Sequence, residues 1–442
     1  MNIKLSEHFD YKKMILFTLP SIAMMVFTSI YGVVDGFFVS NFVGKTPFAA
    51  VNFIMPVLMI LGTLGFMFGT GGGALIAKTL GEGKNEKANR LFSFFVYVSI
   101  VLGIVLAVVS FIFLRPLAEL LGAEGQMLDD AVLYGRIILC ALPFFILQFE
   151  FQSFFIVAEK PQMGLYVTLA SGITNMILDA LFMAVFRWGI AGASAATALS
   201  QVLSGVIPLV YFSRPNTSLL RFVKAGFDSR ALTRACVNGS SELMSNISMS
   251  LVGMLYNVQL LKYAGENGVA AYGVIMYVNM IFLAIFIGFS TGIAPVVSFH
   301  FGAKNNGELK GLLKRSFVII LISSVAMFIF AELLAKPLSA IFVEYDRELF
   351  EITVRGFLIY SFSFLFSGIA IFGSAFFTAL NDGLTSALIS FLRTLLFQII
   401  AIIVFPLIWE LDGIWLSVVA AEIMTVMMTL LFLAVKGKKY NY

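Results

Sequence analysis

The sequence predicts an all-α polytopic membrane protein: twelve transmembrane helices in two pseudo-symmetric, parallel six-helix lobes around a central cleft. Three observations predict it: a composition too apolar for a water-facing surface, apolar runs of bilayer length, and a second half that repeats the first. Of 442 residues, 60% are hydrophobic, 47 of them Phe, and only 12% are charged, about half the charged share of an ordinary soluble chain. Mean hydropathy is +0.96. So few charges cannot cover so much apolar surface in water, which excludes a soluble enzyme, a disordered regulator and a secreted disulfide scaffold. A net charge of only +4 gives no nucleic-acid surface. Cys140 and Cys236 sit in apolar stretches and read as small buried hydrophobes.

A spanning helix needs about 20 apolar residues. Runs of that kind lie near 14–38, 47–77, 91–113, 132–157, 163–186 and 190–212, then near 236–261, 268–299, 315–335, 353–380, 384–408 and 413–435. They are continuous rather than alternating, so they predict helices and not a barrel. The first run is too long for a signal-peptide core and has no small-residue cleavage site behind it; it reads as a retained helix. Twenty of the 29 Lys and Arg fall in the N-terminus, 78–90, Lys160, 213–234, 304–315 and the tail, against eight in the alternate connections. By the positive-inside rule this predicts a multi-pass protein of the cell membrane with both termini and the 213–234 connection in the cytoplasm.

A shift of 221 residues, half the chain, lays one half over the other. Phe48–Val57 falls on Val269–Val278, Phe68-Gly-Thr-Gly71 on Phe289-Ser-Thr-Gly292, and Gly81-Glu-Gly-Lys-Asn85 on Gly302-Ala-Lys-Asn-Asn306. Six spans is an even number, so the copies enter the membrane in the same sense. The expected division is an N-lobe at 1–212, a cytoplasmic linker at 213–234 and a C-lobe at 235–442.

An ionisable side chain inside a span costs a few kcal/mol and is a functional candidate by default. Asp35 stands toward the non-cytoplasmic end of span 1. Span 5 carries Asp179, with Asn175 one turn earlier on the same face, and span 6 carries Thr197. Two carboxylates with an amide and a hydroxyl suit two tasks. They can ligate a dehydrated metal cation such as Na+ through hard oxygens, or burial and repulsion can make one carboxyl bind and release a proton. Glu150, between Gln148 and Gln152 in span 4, and Glu242, early in span 7, are candidate substrate counter-charges or secondary coupling acids. Arg393 in span 11 and Glu422 in span 12 read as a structural pair. Gly72-x4-Ala77-Lys78-Thr79 lacks the second Gly of a P-loop and follows no strand, so no nucleotide is expected. His8 and His300 give no metal-ligand spacing. No catalytic triad or dyad pattern is found, and no cofactor is expected beyond a coupling ion.

With these motifs, the two parallel six-span halves resemble the multidrug and toxic compound extrusion (MATE) family over essentially the whole chain. The likeness looks closest to the prokaryotic branch with the staphylococcal multidrug exporters. Its strongest carriers are Val33–Gly44, the turns at Gly81 and Gly302, and Asn175-x3-Asp179 followed by Thr197. The resemblance implies that Asp35, Asn175, Asp179 and Thr197 form an N-lobe cation site. It further implies an antiporter that exports amphipathic, cationic small molecules in exchange for H+ or Na+, and a cleft between two lobes of one chain works as a monomer. One branch of the family adds a C-lobe site from a span-7 Glu and a span-10 Asp. Glu242 matches the first, but Ser367–Phe377 holds no acid, which places coupling in the N-lobe. The alternatives are a lipid-linked oligosaccharide flippase of the wider superfamily, a channel, or an intramembrane aspartyl-type enzyme. The last lacks the expected Gly-x-Gly-Asp around either Asp.

Overall fold

In the computed structural model, which describes residues 3–344 and 346–442, the apolar runs are helices joined by short turns, except for the longer irregular connection at 214–228. Among the described residues there are twelve spans. Spans 1 to 3 are Tyr11–Val43, Thr46–Gly81 and Asn85–Leu120. Span 4 is a pair, Gly125–Cys140 and Leu142–Val157, bent by 60°. Spans 5 and 6 are Pro161–Val185 and Gly189–Ser213. Spans 7 and 8 are the arms of one stretch, Ser229–Gly302, broken at Gly265 alone. Its φ of +60° is a turn that a residue without Cβ makes at little cost. Span 9 is Asn306–Val343; span 10 is Arg347–Ser361 with Phe364–Ala379, bent by 50°; spans 11 and 12 are Gly383–Val404 and Pro406–Tyr440. The bends in spans 4 and 10 fall at equivalent places in the two halves, as a repeat requires. An even number of spans per half puts both termini and the connection at 214–228 on one face, called here the terminal face; the connection is shorter than the expected 213–234 because span 7 already begins at Ser229.

The twelve runs and their order match the sequence expectation, while several helices extend beyond their apolar part. Span 3 continues to Leu120, past the run that stops near 113, because Arg115 finds Glu119 one turn on and Asp129 on the next helix, an ion network suited to the membrane surface. One expectation is corrected: Cys140 is exposed and Cys236 only half-buried. An apolar neighbourhood signals burial in water, but the lipid-facing side of a span is equally apolar.

The lobes meet through glycines placed by the repeat. A Cβ on Gly81 of span 2 would lie 2.0 Å from the Phe299 carbonyl oxygen of span 8, and one on Gly302 would lie 2.1 Å from the Lys78 carbonyl oxygen. The 221-residue shift turns the first contact into the second. Likewise Gly71 meets Gly239 of span 7, the Cβ position falling 2.6 Å from its nitrogen, and Gly292 of span 8 meets Thr18 of span 1 at 3.0 Å. The first three are backbone approaches that leave no room for a side chain, and the last is a tight side-chain contact. All lie within about fifteen residues, roughly 22 Å at 1.5 Å per residue, of the terminal ends of their spans. The lobes are thus closed against one another at the terminal face.

Residues 3–10 cross that closed face. The Leu5 amide donates to Glu159 between spans 4 and 5 at 2.6 Å, and the Phe9 amide to Glu308 at the start of span 9 at 3.0 Å. His8 meets the same Glu308 at 2.6 Å, and Arg315 donates to the Phe9 carbonyl at 2.6 Å. Leu5 and Phe9 are themselves buried, so the strap is packed as well as hydrogen-bonded.

Candidate functional site

The site begins with a missing side chain. A Cβ at Gly172 in span 5 would lie 2.5 Å from the Phe27 ring and 3.1 Å from the Tyr31 ring of span 1, so spans 1 and 5 lie close. Phe27, Tyr31 and Asp35 recur every fourth residue on one face of span 1. Gly172, Asn175 and Asp179 share a face of span 5. The contact at Gly172 therefore carries Asp35 to Asp179 one to two turns further on. Their carboxyl groups come within hydrogen-bonding reach of each other. Both are acceptors when ionised, and no protein donor among the described residues reaches Asp35 Oδ1 or either Asp179 oxygen.

Asn175 is 2% exposed, with its Nδ2 buried and unpartnered, and so is the Thr197 hydroxyl. Tyr134, from the first arm of span 4, completes the cluster: its hydroxyl sits beside Thr197 with both acids near, and its ring is fully buried. Tyr134 had no signal in the sequence, because nothing in its own span marks it; only the packing of span 4 on span 6 brings it in. Gln148 reaches the Tyr31 hydroxyl at 3.4 Å, closing the cluster beneath.

Both acids stand beside irregular helix. A single π-turn follows Asp179 at Ala180–Val185, and another follows Asp35 at Val39–Val43. Two more enclose the inter-lobe Gly71 at Phe68–Gly72 and Arg393 at Leu392–Leu396. Such turns are rare and concentrate at functional positions, since the extra residue lets a helix shift without unfolding.

The other sequence candidates lie apart. Glu150 is fully buried with both carboxyl oxygens unpartnered. Its neighbours are Ser99 of span 3 and the backbone at Gly69, on the side of its helix away from Gln148 and Gln152. Glu242 is half-buried on span 7, and its carboxylate makes no hydrogen bond to the described residues. Arg393 and Glu422 form the expected pair at 2.8 Å between spans 11 and 12, with side chains 16% and 5% exposed. Removing one partner of a buried pair strands the other charge, at a cost of about 3 kcal/mol or more. Arg393→Met is therefore expected to lower thermal stability in detergent by that amount, and Arg393→Met/Glu422→Leu to recover most of it. A single variant as stable as the wild type would contradict a structural role. Lys78, in the P-loop-like stretch, lies 5.2 Å from the centre of the Phe301 ring, in the inter-lobe contact.

The MatE family model matches residues 20–181 and 243–404, two segments of equal length, one in each half. Among curated relatives, the multidrug export protein MepA of Staphylococcus haemolyticus is 28% identical over 72% of this chain and 69% of its own. MepA of Staphylococcus aureus strain MSSA476 is 27% identical over 81% and 80%. Among solved structures, a MATE in complex with MaL6 superposes with a TM-score of 0.93 at 20% identity, covering 98% of both chains. A transporter of the MOP superfamily from Pyrococcus furiosus gives 0.91, also at 20% and 98% of both. These last two establish the shared fold. The fold, the repeat and the family match agree, and the chain belongs to the MatE family of membrane transporters, which are not enzymes.

Proposed function

We propose that the protein is a secondary active antiporter that exports amphipathic, cationic small molecules in exchange for H+ or Na+ by alternating access. The observation that carries this is the Asp35–Asp179 pair: two carboxyls from different spans, turned toward each other, with no protein donor between them. Two like charges in a dry site cannot both persist unpaired. A proton or a cation between them joins span 1 to span 5; its loss drives them apart. Asn175 and Thr197 supply further oxygens for the ion, and Tyr134 lends its hydroxyl. Exchange then needs only that the ion favour one lobe arrangement and the substrate the other, since a ligand that binds both equally shifts neither.

In this reading the protein works as a monomer in the cell membrane, with an N-lobe at 1–212, a linker at 213–234 and a C-lobe at 235–442. The terminal face is the cytoplasmic one, by the excess of Lys and Arg there. Its closure makes this the outward-facing state. Glu242, partly accessible on span 7, is the acid left to meet a substrate's positive charge, whereas Glu150 is enclosed and suits a proton. The multidrug export named for the staphylococcal relatives supports drugs as the exported compounds. A pyrophosphate-linked substrate of the flippase kind needs free cavity arginines, and Arg393 is already spent on Glu422.

The test is transport of a cationic dye in proteoliposomes with pH and Na+ gradients imposed one at a time. One of the two gradients should drive dye against its own concentration difference. Movement indifferent to both sinks the proposal.

A further inference from the structure

Below the acid pair, three spans turn polar faces to one another. Span 5 presents Asp179, Asn175, Ser171, Thr168 and Gly164, and span 6 presents Thr197, Gln201, Ser204 and Pro208; span 4 presents Gln148 and Gln152. Successive members are three or four residues apart, so each set is a single stripe along its helix. Span 5 runs away from the terminal face, and spans 4 and 6 run toward it, so all three stripes descend together from the acid pair.

Their polar groups are buried and largely unused. Gln152, Gln201, Ser204 and Asn175 are 4%, 6%, 2% and 2% exposed. Both polar atoms of Gln152, the Gln201 Oε1, the Ser204 hydroxyl and the Asn175 amide nitrogen have no hydrogen-bond partner among the described residues. In a protein interior the large majority of such side-chain groups are satisfied, and a cluster of exceptions on facing helices marks a place built for water. A cavity of about 10 Å³, the room of one water, opens there between the polar Gln148, Gln152, Thr168 and Ser204 on one hand and Val167 and the Phe151 and Phe155 rings on the other. The Phe155 ring in its wall lies 5.7 Å from that of Tyr211, two residues from the terminal end of span 6 at Ser213.

We propose that these stripes form a single-file water shaft inside the first lobe, which passes protons between the Asp35–Asp179 pair and the terminal face without entering the substrate cleft. The proposal rests on reading that pair as the ion site, and it names H+ as the ion. Amide and hydroxyl groups hold waters from both sides, because they donate as well as accept. A proton leaving Asp179 passes to the first water, and each hop breaks one O–H bond and forms the next. A file one water wide carries a proton this way, whereas a metal cation would have to be coordinated afresh at each step. Such a shaft lets the coupling ion leave on the terminal side while the lobes stay in contact there.

The test uses the full-length protein in proteoliposomes, first with Cys140→Ala and Cys236→Ala to remove the native thiols. In that background Ser204→Cys is challenged with Ag+ from the terminal face, and modification is read by mass. Ala196→Cys, equally buried on span 6 but off the stripe, is the dry control. The shaft predicts reaction at Ser204→Cys at least tenfold faster than the control. Equal rates, or reaction only from the opposite face, overturn it. Separately, Thr168→Val/Ser204→Ala/Gln152→Leu should slow proton-driven transport at least tenfold while leaving dye affinity unchanged; a wild-type rate overturns the proposal. Full activity of Asp179→Asn would instead remove the ion-site reading, a separate failure that leaves the Ag+ result standing.

Discussion

Asp35→Asn and Asp179→Asn should each reduce gradient-driven dye export to the level of protein-free vesicles, with the protein still folded in detergent. Asn has the shape of Asp, so neither substitution disturbs the packing of span 1 on span 5 at Gly172. Each removes one of the two charges proposed to hold the ion. A unit charge pair about 4 Å apart at an effective dielectric of about 20 is worth about 4 kcal/mol, roughly a thousandfold in ion affinity at 1.4 kcal/mol per decade. The new amide also donates, and the facing carboxylate gains the hydrogen bond that no protein group supplies. The variants should therefore resemble the ion-loaded state, with thermal stability equal to or above the wild type. Transport at the wild-type rate in both variants removes the pair from the mechanism. A loss of transport together with loss of the folded state would make the pair structural.

The second large effect belongs to the inter-lobe glycines. Gly81→Val and Gly302→Val should each cut transport at least tenfold, and by similar factors, because the Cβ positions lie 2.0 and 2.1 Å from equivalent carbonyl oxygens on the opposite lobe. Neither glycine has a positive φ, so valine is tolerated by its own backbone and only the lobe contact suffers. The expected result is a terminal face that no longer closes. Spin labels at Glu82→Cys and Lys304→Cys, in the background lacking Cys140 and Cys236, should report a longer separation in both variants. The alanine versions should be milder. Unchanged distances with unchanged transport would mean that the glycine contacts are passive packing.

Much of this was readable from the chain. Bilayer-length apolar runs have few alternatives, so the twelve spans, their order and the parallel repeat follow directly. The Arg393–Glu422 pair was also legible, since two opposite charges deep in adjacent spans have little else to do. Asp35, Asn175, Asp179 and Thr197 stood out because polar groups are costly in lipid. What brings Asp35 to Asp179 was hidden: it depends on the absence of a side chain at Gly172 and on which faces of two helices meet. Tyr134 was invisible for the same reason. Cys140 was misjudged because lipid and protein interior are both apolar, and composition does not tell them apart. The stripes through Thr168, Gln152 and Ser204 were present in the spacing all along, but three helices had to be set side by side before their unsatisfied groups coincided. Glu150 is a like case: it stood out as an acid inside a span, but neither its complete burial nor its isolation from the acid pair was legible.

The central claim is that ion and substrate compete for the protein through the Asp35–Asp179 pair. Linkage makes that reciprocal: if the ion weakens substrate binding, substrate must expel the ion by the same factor. The most direct measurement is ion release from purified protein in weakly buffered detergent solution as a cationic dye is titrated in, followed with a pH indicator and in parallel with a Na+ electrode. The account predicts release of H+ or Na+ that saturates with dye binding and disappears in Asp35→Asn and Asp179→Asn. Saturable dye binding that releases neither ion from the wild-type protein would contradict it.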